Sequence, residues 1–113
     1  VTGHAVSFGV DAKLRYNQGY PATINDAEKS AFAISVAEKI AGKGNVNANH
    51  GAEMGAEDFS YMLNERPGAY LFLGIGEAAG LHNPNYDFND SAAPYGASFF
   101  AKLVKTAQPV SNN

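Results

Sequence analysis

Residues 69–75 read AYLFLGI, and residues 76–90 continue as GEAAGLHNPNYDFND. Seven consecutive apolar residues, two of them aromatic and none followed by a helical repeat, predict a strand buried on both faces. That is the kind of strand found inside an α/β sheet. The loop after it carries Gly, Pro, three Asn, two Asp and His82. In open α/β sheets the ligand site lies at the carboxyl ends of the strands, and long loops there are often functional. This stretch predicts an α/β class.

Downstream, Gly96, Phe99, Phe100, Leu103, Val104 and Ala107 recur at helical spacing and predict a helix over 91–107, with Pro94 tolerated in its first turn. Upstream, Glu57–Asn64 suits a short helix stopped by Pro67-Gly68. A longer helix is expected from Asn25, with Glu28 three residues on as a capping-box partner. Its apolar stripe is Ala33, Val36, Ala37 and Ile40, and Gly42 is its stop. Val46 suggests a short strand. Val10, Ala12, Leu14 and Tyr16 alternate with Asp11, Lys13, Arg15 and Asn17, which predicts a half-buried antiparallel strand. Val1–Phe8 reads as the end of a helix stopped by Gly9. Pro21, within GYPAT, marks a change of direction and a candidate domain crossover.

The 113 residues are 45% hydrophobic and 17% charged, a globular composition that predicts one core of moderate size. The formal net charge of -3, with no basic patch, speaks against a nucleic-acid partner. The longest apolar run is far below the ~20 residues of a membrane span. No cysteine is present, so thiolate sites and disulfides within these residues are excluded. That fits a reducing, cytoplasmic setting. The opening VTGHAVSFG has neither an initiator Met nor the features of a secretory signal, and reads as though cut from something longer.

His82 follows the expected strand and has a residue type suited to binding zinc. Asp87 and Asp90 are placed to orient its second ring nitrogen. The alternative is a loop histidine bonded to a carbonyl. Glu57 and Asp58 are adjacent carboxylates at a helix start, where the helix dipole alone favours them. Gly55 suggests close backbone approach to something. His4 and His50 read as surface residues, and Tyr70, Phe72, Phe99 and Phe100 as core. Ser7 and Ser60 lack a nucleophile-elbow context. Gly74-Ile75-Gly76 is no dinucleotide fingerprint, having neither the third Gly nor the helix.

The segments LRYNQGYPATIND, MGAEDFSYMLNERPGAYLFLGIG and LHNPNYDFNDSAAPYGASFF, in that order, closely resemble the bacterial N-acyl-amino-acid amidohydrolases. Hippurate hydrolases, aminoacylase-like enzymes and auxin-conjugate hydrolases belong to the same metallopeptidase family. The resemblance spans roughly Gly9 to Val104. It implies a mixed-sheet α/β catalytic domain with flanking helices, into which a ferredoxin-like α+β dimerisation and lid domain is inserted. Residues 1–20 would end the inserted domain, and 21–113 would form the carboxy-terminal portion of the catalytic one. It further implies a homodimer and two divalent metal ions (zinc, or manganese or nickel). The substrate would be a small N-acyl amino acid or peptide-like amide, cleaved by metal-activated water. His82 matches the family's last metal ligand. Gly55 and Glu57 match residues lining the cleft, and Asn25 lies in a segment with a substrate or hinge role. No catalytic residue is expected in this chain, because the family's general-base Glu and remaining ligands come from motifs nearer the amino terminus. The fragment alone is therefore expected to be inactive. The alternative is a non-catalytic binding or assembly module.

Overall fold

In the computed structural model, which describes residues 1–108, four α-helices are joined by irregular segments: α1 (Thr2–Ser7), α2 (Ala27–Ala41), α3 (Phe59–Glu65) and α4 (Ala93–Ala107). Single 3-10 turns precede α4 at Asp90–Ala92 and follow α2 at Lys43–Asn45.

Each helix has a local cause for its limits. Helix α1 ends in a Schellman arrangement. The Gly9 N–H donates to Val6 O at 3.1 Å and the Val10 N–H to Ala5 O at 3.0 Å. Gly9 takes φ 66° at no steric cost. Helix α2 starts at Asp26, whose Oδ1 accepts the Lys29 N–H at 2.9 Å. The cap is thus Asp26 and not Asn25, since the Asn25 side chain is engaged elsewhere. Gly42, at φ 84°, stops α2 as its sequence suggests. Helix α3 is shorter than expected and ends at Arg66, just before Pro67. Helix α4 has Pro94 in its first turn, where the missing N–H has no helical partner to lose.

The main tertiary packing is α2 against α4. Val36 is fully buried, and Ala33 is nearly so. Along α4, Gly96, Phe99 and Leu103 are half-buried. Gly96 allows close approach: a β-carbon there would sit 3.5 Å from the Leu73 Cδ2. Residues 68–75 are thereby laid beside α4, and the Asp26 N–H reaches Gly68 O at 2.9 Å.

Three expectations are corrected. Among the described residues no strand is formed at 10–18, at Val46 or at 69–75. Residues 10–18 are all exposed, so the alternation there has no surface to face. Leu71, Phe72 and Leu73 are exposed as well, so the run is not buried on either face. A strand needs a neighbour that pairs with its N–H and C=O groups, and among the described residues no such ladder is formed at these three places. Phe72 and Phe100, expected as core, are each 67% exposed.

The moderate core is also missing. Only Ala5, Ala33, Val36 and Ala92 are buried apolar residues among those described. The radius of gyration is 20.8 Å, against roughly 13 Å for a compact domain of this length. The accessible surface is 9767 Å², where a compact chain of this size exposes roughly 6,000 Å². Helix α1 packs on no other helix among the described residues, residues 6–19 are exposed, and Leu71, Phe72 and Leu73 remain exposed beside α4.

Candidate functional site

The loop carrying His82 is closed at its neck by Asn89, whose Nδ2 donates to Ile75 O at 3.0 Å. The Asn89 Oδ1 accepts from the Ser91 N–H and hydroxyl at 3.1 and 2.6 Å. One side chain therefore ties the loop's entry to the start of α4.

Two consecutive turns shape the loop's tip. The Asn83 N–H donates to Gly80 O at 3.1 Å, and the Tyr86 N–H donates to Asn83 O at 2.9 Å. Pro84 occupies the second position of the latter turn, where its fixed φ is favourable. The Asn83 Oδ1 accepts the Asn85 N–H at 2.9 Å, an Asx turn that further stiffens it. His82 is the third residue of the first turn and has φ 65°. It is the one non-glycine residue with positive φ among those described. A type II turn demands positive φ there and normally takes Gly or Asn. The conformation costs roughly 1–2 kcal/mol, and the two turns around it place the exposed imidazole at the tip.

His82 makes no side-chain hydrogen bond among the described residues, so the expected orientation by Asp87 or Asp90 is not formed. Those two carboxylates instead line an open concavity with Glu77, Asn85 and Asn89.

The second group of expected residues converges on Tyr70. Asn25 Nδ2 donates to Tyr70 O at 2.8 Å, and Asn25 Oδ1 accepts the Tyr70 N–H at 2.8 Å. The Tyr70 hydroxyl donates to Glu57 Oε2 at 3.1 Å. Glu57 Oε1 accepts the Phe59 N–H at 3.1 Å, capping α3 from just ahead of it. The Phe59 N–H and then the Tyr70 phenol hold the Glu57 carboxyl below its ordinary value. The Glu57 carboxylate in turn pushes the Tyr70 phenol up, with burial adding to it.

Asn25 and Glu57 are thus brought onto one residue, while Gly55 is exposed and has nothing within 4 Å of a β-carbon built there. Tyr70 was expected only as core. Its position at the entry to the apolar run, with a hydroxyl to satisfy, is the available hint. Ser60 is fully buried and spends its hydroxyl on Glu57 O at 2.6 Å. His4 and His50 are at the surface as expected, although His50 pairs with Glu53 at 2.8 Å.

Among the described residues no three His, Cys, Asp or Glu side chains gather to hold a metal ion. An exposed imidazole with both nitrogens unengaged fits one ligand position, and the described residues do not fit a complete metal centre. No helix described is long and apolar enough to cross a membrane.

Residues 4–106 match the model of peptidase family M20/M25/M40, and the chain belongs to that family. It is 36% identical over 102 residues to a hippurate hydrolase of Campylobacter jejuni, covering 90% of this chain and 27% of that protein. It is 33% identical over 99 residues to an N-acetyldiaminopimelate deacetylase of Exiguobacterium sibiricum, covering 84% and 25%. A putative amidohydrolase, YhaA, of Bacillus subtilis is 29% identical over 111 residues, covering 94% and 28%. The chain spans about a quarter of the length of these curated relatives. No solved structure matches.

Proposed function

We propose that this chain is the carboxy-terminal part of a metal-dependent amidohydrolase, to which it contributes His82 as one metal ligand. The observation that carries this reading is the strained His82 turn, lying within the family match. Strain is kept where surrounding structure over-determines it, and such positions cluster at functional sites. Here the Asn89 tie, the Pro84 turn and the Asn83 turn supply that over-determination.

The substrate class is an N-acyl amino acid or peptide-like amide, as the names of the relatives suggest. When bound, two divalent ions would polarise the scissile carbonyl and activate water; zinc is the first expectation, with manganese or nickel as alternatives. This chain's own part is to present the imidazole at a fixed place. The proton-shuttling Glu and the other ligands would lie outside it.

Residues 21–113 would belong to an α/β catalytic domain, with 69–75 becoming a strand once a neighbour is supplied, and 1–20 to an inserted domain. The exposure of every residue from 10 to 19 supports a boundary near Pro21. The whole protein would be a homodimer in the cytoplasm. The surplus surface of roughly 3,800 Å² over a compact chain exceeds the roughly 1,000–2,500 Å² that one partner gives to an obligate interface, which supports a missing neighbour.

That same surface favours a second reading, a binding or assembly module. Hydrolysis of N-benzoylglycine separates the two. The zinc-loaded 113-residue chain alone should give none, and the chain completed to its relatives' length should give turnover. No turnover from the completed protein on any N-acyl amino acid would favour the module.

A further inference from the structure

The carboxamide of Asn25 meets the backbone of Tyr70 in the way a neighbouring strand would. It donates to the carbonyl and accepts from the N–H of the same residue, both at 2.8 Å. The two residues lie 45 positions apart. Asn25 thereby fixes the start of the 69–75 run against the start of α2, aided by the Asp26 N–H on Gly68 O. The Tyr70 ring is held between Phe59 at 5.6 Å and Phe72 at 5.4 Å. With the backbone pinned and the ring flanked, the hydroxyl has one place to go, which is Glu57 Oε2.

A carboxylate has about four acceptor positions. Phe59 N–H takes one position on Glu57 Oε1 and Tyr70 O–H one on Oε2, and Asp58 also acts on the same carboxylate. We propose that Asn25 is a positioning residue for Glu57: acting through Tyr70, without touching the carboxylate, it sets the direction in which Glu57 presents its oxygens. This role replaces the direct substrate contact expected for Asn25, since both ends of its amide are already engaged. It stands on the hydrogen-bond geometry and survives a failure of the hydrolase reading.

The test is a pH titration of the 113-residue chain with ring-labelled tyrosine, followed by NMR, with Tyr70→Phe assigning the resonance. Asp58 is the other carboxylate acting on this phenol and is left unchanged throughout. In the wild type, Tyr70 should titrate above the ordinary tyrosine range. Glu57→Gln should lower that titration directly, by removing the largest of its causes. Asn25→Ala should also lower it, although Asn25 does not contact the phenol. A merely local structural role would leave the phenol unmoved. Amide exchange gives a second readout. Tyr70→Phe should keep the residue-70 amide protected, because the Asn25 clamp is intact, and Asn25→Ala should lose that protection. A Tyr70 titration in Asn25→Ala as high as in the wild type would overturn the proposal, as would a wild-type Tyr70 with neither elevated titration nor amide protection.

Discussion

Replacing His82 by Gly and by Ala separates the backbone demand at the loop's tip from the chemistry of the imidazole. The side chain is exposed and makes no hydrogen bond among the described residues, so truncation loses little packing. What changes is the backbone. At φ 65° a β-carbon crowds the following carbonyl, at about 1–2 kcal/mol. His82→Ala keeps that β-carbon and should stay within about 0.5 kcal/mol of the wild type, as surface changes do. His82→Gly removes it, but its unfolded chain has more freedom to lose, about 0.5–1 kcal/mol. The balance leaves Gly about 0.5–1 kcal/mol more stable than Ala. In a domain of this size that is a few degrees in Tm. Urea unfolding of the three proteins followed by far-UV circular dichroism gives the comparison. The Gly variant should be the most stable of the three and, like Ala, should have lost the imidazole's metal affinity. Gly less stable than Ala would refute the strained turn, and with it the reason for reading His82 as deliberately presented.

Val36→Ala should cost about 2–3 kcal/mol by the same unfolding assay, because Val36 is fully buried between α2 and α4 and two methyl groups and a cavity are at stake. Asp26→Ala should cost about 1 kcal/mol and reduce helicity, through loss of the cap on the Lys29 N–H. Glu57 gives a pH signature. Its carboxyl lies below the ordinary 4.5 in the folded chain, so its contribution is present above that pH and lost as pH falls through the lowered value. Carbon-13 titration of the Glu57 carboxyl should find its midpoint below 4.5, and a midpoint at or above 4.5 would contradict the bonds drawn to Phe59 and Tyr70.

The helices were legible in the sequence because their signals are local. Gly9, Gly42, Pro67 and Pro94 act within a turn of where they stand, and the Ala33–Val36 stripe needs only one facing helix. The sheet was a different matter. Alternation at 10–17 and the apolar run at 69–75 describe faces to be covered, and covering them requires segments distant in the chain or outside it. At the candidate site, His82 was legible as a residue, and Pro84 as its support, but its positive φ was not. Nothing at Leu81-His82 carries the Gly or Asn signal of a type II turn. Glu28 three residues on suggests Asn25 as the cap, yet the neighbouring Asp26 competes for the same N–H groups and wins. That frees the Asn25 amide for a partner 45 residues away, which no local pattern announces.

Metal stoichiometry tests directly whether His82 is a metal ligand of an amide hydrolase. The chain completed to the length of its relatives, loaded with zinc and dialysed, should hold two ions per polypeptide and hydrolyse N-benzoylglycine or another N-acyl amino acid. His82→Ala should lower the metal content and reduce hydrolysis by more than the roughly 10–100-fold typical of residues that only support a ligand. Unchanged metal content and turnover in that variant would contradict the assignment.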